Sequence, residues 1–553
     1  MQVSCVRSLV GMIRGRIPDS ILANMSLEEK IGQMMIVGFH GTTPSSDIRM
    51  LIQKYHIGGT ILFSRNITDP RQVARLTKRL QSIALASKLH LPLLVATDQE
   101  GGLVSRITKG VAVHPGNMAL GATRSRSLAH IAGDVTGKEL RAMGINMNLA
   151  PVLDMNNNPK NPVIGVRSFG EDPFLVSELG VAMIRGLQKN KVIATAKHFP
   201  GHGDTSQDSH EILPVLPHSL ERLRRIELRP FRAAISCGVI AVMISHLSIP
   251  AIDKTRDIPA SLSRRVVTKL LRQQLGHQGL ATTDCMEMKA ITSNFEAGEA
   301  AIEAVKAGVD LVMTSHTLKK QLQSIRAVHD AVRAGEIDQR AIDNSVMRIL
   351  RAKAFVKQSK DATSHRMKVV GNRKHLLAVA KMANKSITLT RNRGILPLGL
   401  REKRLLLISF VPSSMKSEPD LLGVLKENMS SQVYIRGFDC DPQPSKKQIR
   451  KVLSAISWAE AAIAATYDVS HNNAQEETLR EISAHIPLVL VSLREPYDIA
   501  CVPEASAHVA AYSPAKCSIE AATDIVTGRS KPTGKLPVSV HPTYSMGHGL
   551  DHF

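Results

Sequence analysis

Aromatic residues are scarce. The 553-residue chain holds one Trp, six Tyr and eleven Phe, 3% in all, so the basic patches interleaved with aromatics that mark nucleic-acid binders have little to be built from. Cysteine is sparse too. The six residues Cys5, Cys237, Cys285, Cys440, Cys501 and Cys517 are scattered without metal-ligand pairing, which argues against thiolate zinc sites and for free thiols in a reducing compartment. Long apolar runs are missing, and none reaches the roughly 18 residues of a membrane span. The stretch 1–16 carries a short apolar run interrupted by Arg7 and Arg14, a poor secretory leader that points to a cytoplasmic protein.

What the chain has in excess is positive charge, with 71 Lys and Arg against 48 Asp and Glu, a net +23. The basic residues are spread along its whole length. That distribution argues against a nucleic-acid partner and fits a general solubility feature or attraction to an anionic polymer such as a cell wall.

A chain of this length exceeds a single core. Short apolar runs at 34–37, 60–63, 93–96, 145–149, 192–195, 240–244, 280–283 and 311–313 alternate with amphipathic stretches. Strands alternating with helices in that number predict a (β/α)8 TIM barrel. A second alternation from 386 onward predicts an open α/β (αβα sandwich) domain, without G-x-G-x-x-G or P-loop and hence without a nucleotide site. The expected boundaries are an N-terminal extension 1–24, a TIM-barrel catalytic domain 25–356, a linker 357–385 and a C-terminal α/β sandwich 386–553.

Polar residues follow the predicted strands: Asp98 the third, Asp154 the fourth, Lys197 and His198 the fifth, His246 the sixth, Asp284 the seventh. The carboxyl ends of the strands are where sites form in this fold. The densest stretch is AKHFPGHGDTSQDSHEIL at 196–213, with Lys197, His198, His202, Asp204, Asp208 and His210. Its glycines and proline forbid helix and predict an irregular loop. Zinc is a rival reading of its histidines and aspartates. The spacing fits neither paired ligands on a helix nor a knuckle, and no cysteine is near, so no metal and no cofactor are expected.

The loop resembles the signature of glycoside hydrolase family 3 β-N-acetylglucosaminidases of the NagZ type. TDQEGG at 97–102, NLAPVLD at 148–154, RSFGEDP at 167–173 and Thr283-Asp284 agree with it in order. GKLPVS at 534–539 resembles the second domain of the two-domain form, which implies export and cell-wall association as the alternative to a cytoplasmic location.

The resemblance implies retaining hydrolysis of terminal β-linked N-acetylglucosamine from peptidoglycan or muropeptide-type glycans. Glycoside cleavage needs a nucleophile or base and a proton donor. Asp284 is implied as nucleophile, and His210 paired with Asp208 as acid/base. A neighbouring carboxylate raises a histidine's proton affinity and fixes its tautomer, so the dyad is chemically workable. Asp98, Arg106, Arg167, Lys197 and His198 are expected to bind sugar hydroxyls, Met243 and His246 to line the pocket floor, and Asp154 to lie near it. His202 and Asp204 are expected to hold the loop together, and Glu287 to point away. Two alternatives remain at this point: a phosphorylase using the same residues, and a catalytically inactive sugar- or wall-binding protein. A β-glucosidase of the same family is disfavoured by the Asp-Ser-His loop. Oligomeric state is not legible.

Overall fold

Ser26 starts the leading helix of the first domain, Leu27–Gln33. Its hydroxyl accepts the Glu29 N–H while the Glu29 carboxylate accepts the Ser26 N–H, a reciprocal cap. The computed structural model describes residues 17–209, 211–356, 367–398, 404–412, 423–424, 427 and 433–553.

The first domain is a closed barrel of eight parallel strands. They are β1 (Met35–Val37), β2 (Gly59–Leu62), β3 (Leu94–Thr97), β6 (Met147–Asn148), β7 (Ile193–Phe199), β8 (Ala241–Ile244), β9 (Leu280–Cys285) and β10 (Leu311–Thr314). Around the barrel the order is β1-β10-β9-β8-β7-β6-β3-β2. Each predicted apolar run supplies one strand. A polar hairpin, β4 (Gln99–Gly101) with β5 (Val104–Ser105), leaves the carboxyl end of β3. It breaks the expected alternation because it carries no apolar run.

Two outer helices show how the sequence sets their ends. Asp69 and Asp172 cap Pro70–Ala86 and Pro173–Lys189, each with proline in the first turn. The helix expected over 220–236 is instead two, Leu220–Arg225 and Leu228–Ser236. Pro230 has no N–H for the Ile226 carbonyl, so a continuous helix is interrupted there.

The second domain is a six-stranded sheet of β11 (Thr388–Asn392), β12 (Arg404–Ser409), β13 (Tyr434–Asp439), β14 (Ala461–Thr466), β15 (Leu488–Ser492) and β16 (Ala507–Ala510). Its order is β11-β16-β15-β14-β12-β13, with β11 antiparallel and the rest parallel. Successive residues face opposite sides. Leu406, Ile408, Ala464 and Leu490 join one core, and Leu405, Leu407, Ile463 and Val489 the other. The first of these cores also takes in Met118, Ala119, Ala122 and Val166 of the barrel domain.

Both expected connecting segments contain helix. Ile17–Ala23 lies within the extension, with Ile21 and Leu22 against the barrel core. Arg373–Ser386 lies within the linker. There His375 Nδ1 lies 2.7 Å from Glu139 Oε1, which also accepts the Gly371 N–H at 3.0 Å, tying this helix to the barrel. Residues 357–366 of the expected linker, and most of the helix expected at 421–429, lie outside the described residues. No described helix is long and apolar enough to cross a membrane, and the five described cysteines are free.

Candidate active site

The carboxyl ends of β3, β6, β7 and β9 converge on a buried charge network. Asp98 follows β3, and the β4–β5 hairpin brings the chain back so that Arg106 N–H meets the Asp98 carbonyl at 3.1 Å. Arg106 Nη2 then donates to Asp98 Oδ2 at 3.2 Å. Lys197 Nζ donates to Asp98 Oδ1 at 2.9 Å and lies 2.7 Å from Glu100 Oε1. Arg167 grips Glu100 with two bonds, Nε to Oε2 at 3.0 Å and Nη2 to Oε1 at 2.8 Å.

Lys197 and Glu100 are each 2% exposed. Burial alone would raise the Glu100 carboxyl, but Arg167 and Lys197 outweigh it and hold Glu100 far below the usual range. Burial would likewise lower Lys197 and Arg167. Asp98 and Glu100 reverse this for the lysine, Glu100 above all for the arginine, and both stay charged.

Lys197 and His198 belong to β7 itself. The expected loop begins later because β7 keeps its ladder: Lys197 N–H donates to the Pro151 carbonyl at 3.2 Å and Leu153 N–H to the Lys197 carbonyl at 2.6 Å. Asp154 is fully buried and accepts the His198 N–H, the His202 N–H at 2.7 Å and the His198 ring, whose Nδ1 is 2.6 Å away. Burial would raise Asp154; His198 and His202 hold it lower, so it is ionised and Nδ1 carries the proton. His198 Nε2 is left facing Arg167 Nη2 at 3.4 Å. Asp154 therefore orients His198, and both its oxygens are engaged within the protein.

The described part of the loop beyond β7 is pinned at several points. His202 sits between Thr205 Oγ1 at 2.9 Å and Ser209 Oγ at 3.0 Å, and burial pushes its ring down to about 4. Asp204 Oδ2 lies 2.6 Å from His218 Nε2 and accepts from Arg222 Nη2 at 3.1 Å. The same Nη2 reaches Glu227 Oε1 at 3.2 Å. A guanidinium thus stands where a metal among Asp204, His218 and Glu227 would have to sit. Asp208 is partly buried, with its carbonyl accepting the Glu211 and Ile212 N–H groups. The Ser209 carbonyl accepts the Ala290 N–H at 3.4 Å, joining the loop to the segment after β9. His210 lies outside the described residues.

Asp284 is the penultimate residue of β9, and its side chain stays partly open. Burial would raise its carboxyl. His198, His246, the Cys285 N–H at 2.7 Å and Lys197 hold it below the usual range, so it is an anion at neutral pH.

Residues 26–352 match the glycosyl hydrolase family 3 N-terminal domain. The chain belongs to glycoside hydrolase family 3. It is similar to Beta-hexosaminidase A of Pseudoalteromonas piscicida, with 32% identity over 551 residues, covering 90% of this chain and 92% of that protein. Beta-hexosaminidase LpqI of Mycobacterium tuberculosis is 34% identical over 340 residues, covering 60% of this chain and 84% of its own. Among solved structures, a family 3 β-N-acetylglucosaminidase from Paenibacillus sp. str. FPU-7 shares the fold with a TM-score of 0.88 and 39% identity, over 93% of this chain and 99% of that one. The chain is a glycoside hydrolase.

In this family 3 enzyme the fold brings Asp98, Arg106, Arg167, Lys197, His198 and the Asp284 carboxylate to one face of the barrel. Met243, in β8, is 2% exposed and packs into the barrel core. His246 is 1% exposed, its Nε2 3.1 Å from the Cys285 carbonyl, behind the nucleophile candidate. Glu287 accepts the His316 N–H at 2.5 Å and the Thr317 N–H at 3.3 Å, turned toward the segment after β10. Glu100, not among the residues expected in the site, anchors both Lys197 and Arg167. Its signal was Asp98-Gln99-Glu100, two acids two residues apart at a strand end.

Proposed function

We propose that this family 3 enzyme is a retaining exo-β-N-acetylglucosaminidase acting on terminal β-linked N-acetylglucosamine of muropeptide-type glycans. Asp284 attacks the anomeric carbon and forms a glycosyl-enzyme, while His210, paired with Asp208, protonates the leaving oxygen. His210 then takes a proton from the water that releases the sugar. Asp98, Arg106, Arg167, Lys197 and His198 hold the sugar hydroxyls. The observation that carries the reading is Asp284: a partly open carboxylate kept ionised at a strand end, among the cations that would bind a sugar. The hexosaminidase names of the relatives support the sugar, and the loop signature supports the dyad.

The test is hydrolysis of an aryl β-N-acetylglucosaminide by wild type, Asp284→Ala and His210→Ala. Turnover by wild type, with release of the β-anomer first and a loss of about 10⁴-fold in Asp284→Ala, supports the nucleophile. His210→Ala should lose about 10²-fold or more on poor leaving groups and far less on activated ones. A wild type active only on the aryl glucoside sinks the substrate assignment. Sugar 1-phosphate formed in phosphate buffer would make the enzyme a phosphorylase. Muropeptides left intact while the aryl substrate is cleaved would sink the wall-derived substrate alone.

A further inference from the structure

The residues that present Arg167 are held from outside the barrel. Gly165–Arg167 is a single tight turn, closed by Arg167 N–H to the Ile164 carbonyl at 2.8 Å and Ser168 N–H to the Gly165 carbonyl at 3.1 Å. Gly165 has a positive φ of +41°, and a Cβ there would fall 1.9 Å from Glu495 Oε1. Glu495 thus sits against the α-carbon that starts the turn, from the segment following β15 in the second domain. Two residues on, the Tyr497 hydroxyl accepts from Asn156 Nδ2 at 2.9 Å, and Asn156 N–H bonds the Gly170 carbonyl at 2.9 Å, just past the turn. The second domain meets the Arg167 turn directly at Gly165 and reaches the segment just beyond it through Asn156.

Glu495 is an unusual group to find at such a contact. It is 4% exposed, and Oε1 accepts no hydrogen bond from any described residue, although Arg494 Nε lies 3.4 Å away. A buried carboxylate oxygen in that state is costly when charged and tolerable when protonated.

We propose that Glu495 and Tyr497 are positioning residues for Arg167, through which the second domain sets sugar affinity without touching sugar. This rests on the reading of Arg167 as a sugar ligand. Burial, with Asp468 and Asp498 adding to it and Arg494 and His471 opposing, pushes the Glu495 carboxyl up to about 7. The groups facing it are Arg494, Tyr497 and Asp498 on its own segment, Asp468 and His471 after β14, and Glu171 of the barrel across Tyr497. Ionisation of Glu495 near neutral pH then loosens the grip on the turn, and affinity falls as pH rises.

The experiment measures KM and kcat on an aryl β-N-acetylglucosaminide with the full-length protein, for wild type, Arg167→Ala, Glu495→Gln, Glu495→Ala, Tyr497→Phe, Gly165→Ala and the double variant Gly165→Ala/Glu495→Ala. Tyr497→Phe and Glu495→Ala should raise KM about fivefold with kcat within about twofold, and the double variant should recover about fivefold of the Gly165→Ala loss, because the two side chains compete for one space. Glu495→Gln, which keeps the shape and cannot ionise, should carry low KM to higher pH than wild type. The proposal is overturned if Glu495→Gln and wild type have superimposable KM–pH curves and Tyr497→Phe, folded by its thermal melt, has wild-type KM. If those two variants are silent while Arg167→Ala raises KM, the positioning fails and the sugar-ligand reading stands. If Arg167→Ala leaves KM unchanged, the sugar-ligand reading falls and takes the proposal with it.

Discussion

His198 Nδ1 lies 2.6 Å from Asp154 Oδ2, 44 residues earlier in the chain, and the same carboxylate accepts the backbone N–H of His198 and of His202. One buried anion therefore sets the ring orientation of a proposed sugar ligand and the start of the loop carrying the proposed acid/base.

Asp154→Asn tests that arrangement. The amide has one acceptor where the carboxylate has two, and its NH2 is forced toward existing donors. The expected result is a fall of about 10²-fold in kcat/KM from a misplaced His198 and loop, and about 2 kcal/mol of lost stability. The sign with pH follows from the depressed Asp154 carboxyl: its contribution is present above the unfolded value and is lost as pH falls through the lower folded value. Chemical denaturation of wild type and variant should therefore converge in strong acid. Parallel curves down to that range would remove Asp154 as the cause.

Glu100→Gln separates binding from chemistry. Lys197 and Arg167 lose their shared counter-charge while the shape of the site is kept. Removing one member of a buried charge set costs about 3 kcal/mol. KM should rise about tenfold or more while kcat changes less, since Glu100 bears on proposed ligands and not on the reacting atoms. Titration calorimetry with N-acetylglucosamine reads the same loss without turnover. Unchanged affinity would show that the network is structural only.

The barrel was legible because each of its strands is a short apolar run, and the candidate face because Asp98, Lys197, His198 and Asp284 stand just at or beyond those runs. The β4–β5 hairpin was invisible because Gln99–Gly101 and Val104–Ser105 have no apolar pattern; its register comes from neighbours such as Asn148, whose Oδ1 accepts the Gln99 N–H at 3.0 Å. Lys197 and His198 read as loop because a charged residue ends an apolar run, yet the ladder to Pro151 and Leu153 runs on. Glu495 and Gly165 are 330 positions apart, and no local pattern joins them. The burial of Asp154 was not legible either, because its partners His198 and His202 stand 44 and 48 positions further on.

Acid-side and neutral stability should differ for the second domain. Burial raises Glu495 to about 7 and Asp498 to about 6. A carboxyl raised on folding contributes stability that is fully present below its unfolded value and is lost as pH rises through the folded one. For Glu495 the window runs from 4.5 to about 7, and its full span is worth about 3 kcal/mol. Glu495→Gln should remove that slope, so the gap between variant and wild-type melting temperatures widens in the variant's favour from pH 5 to about 7.5. A constant gap over this range would place the Glu495 pKa elsewhere.

Gly203 gives the sharpest test of the loop. It lies between His202, bonded to Asp154, and Asp204, bonded to His218 and Arg222. A Cβ at Gly203 would fall 1.6 Å from the Met155 carbonyl oxygen, so one backbone must move. Met155 follows Asp154, which leaves the displacement two routes, into the His198 anchor or into the loop leading to Asp208. Either route disturbs the proposed chemistry. Gly203→Ala should lose about 2 kcal/mol of stability and about 10²-fold in kcat. Gly276→Ala is the control, since it has a positive φ of +74° but nothing within 4 Å of the added atom. It should lose only about 1 kcal/mol, with kcat unchanged. Equal kcat in the two variants would mean that the loop root yields freely, and that the position of the acid/base is set elsewhere.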